Sequence, residues 1–199
     1  MTRTVHPIEA ESYAILRARV HTAHLPPLTR AVVERVVHAS ADVDYVADLV
    51  CTEEALRAGR EALLAGAPVV ADVAMVAAGV TGRSVACFVA DPRAAALAAE
   101  ARITRSAAGV HVAIDEVGPG AVWVVGCAPT ALFELIERAR VARPALVVGL
   151  PVGFVGAAES KAALRASGLP AVSNVSEKGG SAVAAAALNA LLYAEEVPV

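Results

Sequence analysis

His38 is the residue of this sequence best suited to acid–base chemistry. It ends a helical pattern of apolar residues and is followed by the small residues Ala39-Ser40-Ala41, which leave room for a ligand. An imidazole can donate or accept a proton near neutral pH, so a histidine beside a ligand can act as acid, base or hydrogen-bond donor. A histidine near a helix C-terminus also interacts favourably with the helix dipole. The residues alone leave both the catalytic and the structural interpretation open.

Two further stretches could hold an anion. Arg105 lies at an expected helix start, where a guanidinium could bind a carboxylate or form a surface ion pair. Gly179-Gly180-Ser181 precedes an alanine-rich helix, and its N–H groups could face an anion or serve only a tight turn. The formal net charge is −3, so no basic field attracts a phosphate backbone and nucleic acid is not expected as a partner.

Several motifs that would indicate other chemistry are missing. Neither G-x-x-x-x-G-K-[ST] nor G-x-G-x-x-G occurs, which disfavours a nucleotide-dependent enzyme. H-E-x-x-H and C-x-x-C are missing too, so neither a metal nor another cofactor is expected. His21 and His24, beside Leu25-Pro26-Pro27, fit exposed connector residues. The 3 cysteines are odd in number, far apart and set in apolar sequence, which fits a reducing cytoplasm.

The elements that must position these residues follow from the alternation of short apolar runs with helical spacing. This alternation predicts a single α/β domain over residues 1–199, with a mostly parallel open sheet of about five strands, helices on both faces and an N-terminal helical segment. In such sheets, ligands bind at the carboxyl ends of the strands. The predicted strands are 68–75, 84–90, 121–126, 145–150 and 171–175.

Helix boundaries are marked by capping residues and by proline and glycine. Thr52 is an expected N-cap, and Asp91-Pro92 starts another helix. Charges, Gly or Pro interrupt every apolar stretch before the roughly 20 residues needed to span a membrane, so a soluble protein is expected. The other predicted helices are 8–19, 29–38, 131–140, 156–167 and 182–193.

Motifs spread over nearly the whole chain resemble the precorrin-8X methylmutase family, also called precorrin isomerase, of cobalamin biosynthesis. The resemblance is strongest in the run GLPVGFVGAAESK, which ends at Lys161. A run of that length, in the right order among the other motifs, is not expected by chance. The other matching motifs are Val36-Val37-His38-Ala39, Thr104-Arg105-Ser106-Ala107-Ala108, Ala128-Pro129-Thr130-Ala131-Leu132-Phe133 and Gly179-Gly180-Ser181.

The resemblance implies a cofactor-independent isomerase that moves a methyl group from C-11 to C-12 of precorrin-8X, a tetrapyrrole, to give hydrogenobyrinic acid. It places the catalytic role on His38, as proton donor or hydrogen-bonding catalyst. It also implies a homodimer with sites near the subunit interface. The substrate-binding residues that it implies are Ser12, Thr81, Arg105, Gly179, Gly180 and Ser181.

The chain departs from the family pattern just before Gly179. Members usually carry an Arg-Gly-Arg type stretch there, whereas this chain has Val175-Ser176-Glu177-Lys178. Arg83 and Lys178 are hypothesised to supply the missing positive charge. Three alternatives stay open: a cobalt-precorrin-8 methylmutase of the anaerobic route, a non-catalytic protein that binds a corrinoid intermediate, and a generic α/β binder or methyltransferase.

Overall fold

The computed structural model describes residues 6–194, and its six strands belong to one sheet. The strand order is β1-β6-β5-β4-β2-β3, and every pair is parallel except β1 with β6. The predicted mostly parallel open sheet is therefore confirmed. The strands are β1 Leu49–Cys51, β2 Val69–Ala71, β3 Ala86–Cys87, β4 Val122–Val125, β5 Leu146–Gly149 and β6 Ala171–Asn174.

Helices cover both faces of this sheet, as predicted. No helix within residues 6–194 has the length and apolar character needed to cross a bilayer. In chain order the helices are α1 Pro7–Arg19, α2 Pro27–Ser40, α3 Tyr45–Asp48, α4 Glu53–Leu64, α5 Ala74–Gly79, α6 Pro92–Ala101, α7 Arg105–Val117, α8 Pro129–Glu137, α9 Ala139–Ala142, α10 Ala157–Ala166 and α11 Ser181–Tyr193.

Strands β2, β4 and β5 are buried on both faces because each is apolar at every position. Val122 and Val124 of β4 pack into a core with α2, α4, α5 and α11. Trp123 and Val125, whose side chains point the other way, pack into a second core with α7, α8 and α10. The N-terminal segment lies on the first face, where α1 packs on α2 and α2 packs on α11.

Capping side chains set several helix starts at the residues expected. The Thr52 hydroxyl accepts a hydrogen bond from the Ala55 N–H, and the Asp91 carboxylate accepts one from the Arg93 N–H. Thr104 caps α7 in the same way, so that Arg105 is the first helical residue. These side chains satisfy N–H groups that the first turn of a helix leaves without a backbone partner.

Several strands and one helix differ from the prediction in where they begin or end. The strand predicted at 68–75 ends at Ala71, because the Asp72 side chain turns to accept the N–H groups of Gly126, Cys127 and Ala128, and the short helix α5 follows. The strand predicted at 84–90 is reduced to two residues. The helix predicted at 131–140 begins at Pro129 and breaks at Arg138, where α9 starts. The edge strand β1 was not predicted.

Candidate functional site

His38 lies in the last turn of α2, half-buried beneath α1. Its Nδ1 atom is 2.8 Å from the hydroxyl of Ser12 on α1. The Tyr13 ring stacks on the imidazole with ring centroids 5.0 Å apart and planes 5° from parallel. Among residues 6–194 no hydrogen bond is made by the other ring nitrogen, Nε2. Ser12 and Tyr13 thus fix the ring orientation and leave Nε2 for a ligand.

A cleft of about 650 Å³ opens beside this histidine, between α1, α2, α5 and α11. Its α11 side carries small residues, and at the closest approach a Cβ on Gly79 would lie 2.8 Å from the Ala185 Cβ. Gly79 thus allows α5 to pack closely on α11, and Ala182, Ala185 and Ala186 present small side chains to the cleft. The lining residues are His6, Ile8, Glu9, Ser12, Arg35, His38, Ala39, Gly79, Ala182, Ala185, Ala186 and Asn189.

Arg35 is the arginine that lines this cleft. It precedes His38 by three residues on α2, so both side chains lie on the same side of the helix. Its guanidinium pairs with the Glu9 carboxylate at 2.6 Å and donates to the Tyr13 hydroxyl at 3.3 Å. Arg35 and Glu9 also line a second cavity of about 400 Å³. The ion pair between them therefore separates two adjoining cavities.

Sequence reasoning missed Arg35 and Tyr13. A signal was present in the spacing, because Glu9, Ser12 and Tyr13 follow the i, i+3, i+4 pattern of one helix face. What the pattern does not contain is the pairing of that face with the face of α2 that carries Arg35 and His38.

A buried carboxylate fixes α1 on α2. The Glu34 side chain is 3% exposed and accepts hydrogen bonds from Arg17, Thr22 and Arg30 at 2.6–2.7 Å. Burial raises the pKa of this carboxyl, but these three hydrogen bonds outweigh burial and lower it to about 2. Glu34 therefore remains ionised and holds α1 and the α1–α2 connector at the same time.

Thr81 reaches the cleft only through a neighbour. Its N–H donates to the Asn189 side-chain oxygen at 3.0 Å, and its hydroxyl is 2.7 Å from the Tyr193 hydroxyl. Asn189, which lines the cleft, also donates to the Gly79 carbonyl at 2.9 Å. Thr81 therefore lies behind a lining residue instead of on the cleft surface.

Arg105 is not brought into this cleft. It is exposed at the start of α7, which covers the opposite face of the sheet from α1 and α2. Its neighbour Thr104 is 2.7 Å from Thr130 at the start of α8, so two helix N-termini meet at this edge of the sheet. A carboxylate at this position would be separate from the Nε2 atom of His38.

The Gly179-Gly180-Ser181 segment has the geometry of a close backbone approach. Gly179 has φ +156°, and a Cβ there would lie 2.2 Å from the Leu150 carbonyl oxygen. The Gly180 N–H donates to the same oxygen at 2.9 Å. The Ser181 hydroxyl is 2.9 Å from the Cys127 sulfur. The two glycines thus form a tight turn, and the Gly180 N–H is already hydrogen-bonded within the chain.

The basic residues suggested as substitutes for the missing family arginines already have partners. The Lys178 ammonium lies 2.7 Å from the carboxylates of both Asp42 and Asp44. Arg83 donates to the Leu63 carbonyl. The positive charge of Lys178 is therefore compensated twice over within the chain.

Comparison with known proteins gives consistent matches over the described chain. A model of the precorrin-8X methylmutase family matches residues 7–194. The precorrin-8X methylmutase of Pseudomonas aeruginosa is 44% identical, with 95% of each chain covered. The cobalt-precorrin-8 methylmutase of Salmonella typhimurium is 41% identical over 94% of this chain and 93% of its own. The crystal structure of precorrin-8X methyl mutase from Thermus thermophilus superimposes with a TM-score of 0.85 at 37% identity, covering 94% of this chain and 96% of that one.

Proposed function

This chain belongs to the precorrin-8X methylmutase family, whose members are intramolecular methyl-shifting isomerases of cobalamin biosynthesis, and we propose that His38 is its catalytic residue. The reaction that we propose moves a methyl group from C-11 to C-12 of precorrin-8X and gives hydrogenobyrinic acid. One carbon–carbon bond breaks and one forms within the same molecule, so the product is an isomer. The observation that carries this proposal is the half-buried imidazole, oriented by Ser12 and Tyr13 beside a cleft of about 650 Å³.

In this proposal His38 acts through Nε2, which donates a proton or a hydrogen bond to the macrocycle while the methyl group migrates. Ser12 on Nδ1 holds the ring against rotation, and Tyr13 supports its face. A positioned acid contributes about 10²–10⁴-fold to a rate. The remaining acceleration would come from binding the ring in a shape close to the migration geometry.

The carboxylates of the substrate need local positive groups because the chain has a formal charge of −3. Arg35 is the guanidinium in the cleft, and a substrate carboxylate would replace Glu9 on it. A charge-assisted hydrogen bond contributes about 1.5–3 kcal/mol. Arg105, Thr81 and the Gly179-Gly180-Ser181 segment stay proposed binding residues, for parts of the substrate that extend beyond the cleft.

The proposal applies equally to the metal-free substrate and to the cobalt-containing one. Relatives bearing the two names are 44% and 41% identical to the chain over similar lengths. The two substrates differ at the ring centre, whereas His38 and Arg35 would meet the ring edge and its carboxylates. A non-catalytic corrinoid-binding protein would need no oriented acid, and the Ser12–His38 contact favours the enzyme.

The test is the absorption spectrum of precorrin-8X, and separately of cobalt-precorrin-8, incubated with the wild type, His38→Ala and His24→Ala. We expect the wild type and His24→Ala to convert one or both, and His38→Ala to lose about 10²–10⁴-fold in rate. His24 is a matched control because it is an exposed histidine outside the cleft. Bound but unconverted substrate with the wild type would favour the binding protein. Full activity in His38→Ala would remove His38 from the mechanism.

We further propose that the chain forms a homodimer. The support is an exposed apolar loop next to β5, in which Phe154 is 97% and Val155 88% exposed. Exposed apolar side chains in sequence favour a protein interface. A mass in sedimentation equal to one 20.2 kDa chain would reject the dimer.

A further inference from the structure

Lys161 is fully buried and is the last residue of the strongest family motif, and the proposed chemistry does not use it. Its ammonium donates to the Asn174 side-chain oxygen at 2.8 Å, the Lys178 carbonyl at 2.7 Å and the Ser176 carbonyl. All three acceptors belong to the segment 174–178, here named the β6 loop. All three N–H donors of the Lys161 ammonium therefore bind this one loop.

The β6 loop is held from its other side by Asp48. This carboxylate accepts the N–H groups of Val175 and Ser176 at 3.0 and 2.9 Å, and the Asn174 amide at 2.8 Å. The loop thus lies between a buried cation on α10 and a carboxylate at the end of α3. A loop fixed from two sides by charged groups has one arrangement instead of many.

The β6 loop leads directly into the wall of the cleft. Gly179 and Gly180 follow it and pass against the Leu150 carbonyl, and α11 begins one residue later. Ala182, in the first turn of α11, lines the cleft. A shift of the loop would therefore move the first turn of α11 relative to His38.

The same loop also reaches the segment that follows His38. The Lys178 ammonium contacts Asp42 and Asp44, which come just after the end of α2. Lys161 bonds the Lys178 carbonyl and so fixes the backbone from which that side chain extends. One buried ammonium is thus connected to two sides of the cleft, through α11 and through the end of α2.

We propose that Lys161 is a positioning residue for substrate binding: it holds the β6 loop so that the first turn of α11 and the end of α2 keep the spacing that the tetrapyrrole requires. This inference rests on the proposed function. Lys161 does not touch the substrate, so its loss is expected to weaken substrate binding more than it slows the methyl shift.

The experiment compares Lys161→Met with Ser160→Ala in the conversion assay. Methionine keeps the length and apolar stem of lysine but removes the ammonium from the Asn174 side-chain oxygen, and it leaves the Ser176 and Lys178 carbonyls with the Asn174 amide as their side-chain donor. Ser160 is an equally buried neighbour on α10 whose hydroxyl bonds only the Ala157 carbonyl, within its own helix. We expect Lys161→Met to raise KM about tenfold or more with a smaller change in kcat, and Ser160→Ala to leave KM unchanged.

An unchanged KM in folded Lys161→Met, or an equal rise in Ser160→Ala, would overturn the inference. Failure of the wild type to convert either substrate would instead reject the proposed function.

If Lys161→Met does not fold, hydrogen exchange of the wild type tests whether Lys161 holds the β6 loop. Burial lowers the pKa of Lys161 to about 8, so between pH 7 and 9.5 its ammonium loses a proton.

The charged groups around Lys161 are Asp48, Arg165 and Glu177. Burial raises the pKa of the Asp48 carboxyl, but hydrogen bonds from Ser176 and Asn174 outweigh burial and lower it, so Asp48 keeps its charge in this range. Base speeds the exchange of every amide, so the Ala184 amide of α11 serves as the reference. When the pH rises from 7 to 9.5, we expect the exchange rate of the β6 loop amides to increase about tenfold more than that of Ala184. A constant ratio of the two rates would overturn the inference.

Discussion

The two helices that face each other across the cleft are held by different forces. In α11 every residue from 183 to 191 is buried, and all of them except Asn189 are apolar. In α1 only Leu16 is buried, and the other contacts with α2 are mostly polar and are made by Glu9, Ser12, Tyr13 and Arg17. One wall of the cleft is thus part of the core, and the other is attached by polar contacts.

This difference suggests how a site can be rigid where chemistry needs it and adjustable where a bulky ligand enters. Apolar contacts in a close-packed core are lost together, so α11 and α2 separate only when the domain unfolds. Exposed or partly exposed ion pairs contribute about 0–1 kcal/mol each, so α1 can exchange its partners at low cost. His38 is on the rigid side, and the Ser12 that orients it is on the adjustable side.

The largest expected effect comes from truncating the apolar wall. Leu188 is fully buried in α11, and Leu188→Ala should lower the free energy of unfolding by about 2–5 kcal/mol through lost burial and a residual cavity. The matched change Leu16→Ala in α1 should cost only about 1–2 kcal/mol, because that helix has solvent on its other side. Urea unfolding followed by circular dichroism measures both. Equal losses would show that α1 belongs to the same cooperative core.

A smaller effect is expected from the carboxylate that holds α1. Because the pKa of folded Glu34 is about 2, below the ordinary 4.5, its contribution is complete above pH 4.5 and is lost as pH falls towards 2. Glu34→Gln should therefore lower stability at pH 7 by about 1–3 kcal/mol and flatten the loss below pH 4.5. Urea unfolding across this pH range measures it, with the exposed Glu100→Gln as control. If Glu34→Gln loses stability below pH 4.5 as steeply as the wild type, the loss must come from other carboxylates.

The smallest effect is expected at the ion pair between the two cavities. If a substrate carboxylate replaces Glu9 on Arg35, then Glu9→Gln removes a competitor and should lower KM by up to about fivefold. Glu11→Gln, an exposed change on the same helix, should leave KM unchanged. A higher KM in Glu9→Gln would mean that Glu9 assists substrate binding instead of competing with it.

Much of the fold was predictable because parallel strands buried on both faces are apolar at every position. The β-branched runs of β4 and β5 and the caps at Thr52 and Asp91 placed those elements within a residue or two. Edge strand β1 was missed because three residues carry no periodicity, and its pairing with β6 is fixed by Asp48 and other tertiary contacts. The strand before Asp72 was predicted too long because its local sequence does not reveal that side chain's partners across the sheet.

For the candidate site, the residue type of His38 made it a candidate and the family resemblance gave it the catalytic role, whereas its pairing with Ser12 had no local signal. The two residues are 26 positions apart, and only the packing of α1 on α2 brings them to 2.8 Å. The same packing explains why Arg35 and Tyr13 were overlooked. Arg105 and the glycine segment were correctly placed at helix starts, but such placement does not reveal the distance between separate helix ends.

The shortness of the outer strands has a consequence for how the protein behaves at high concentration. The sheet ends in β1, with three residues, and β3, with two. An incoming strand could form only a few backbone hydrogen bonds along either border, so growth of the sheet from one molecule to the next gains little. The molecule can therefore keep the apolar loop with Phe154 and Val155 exposed while its sheet borders resist fibril-like aggregation.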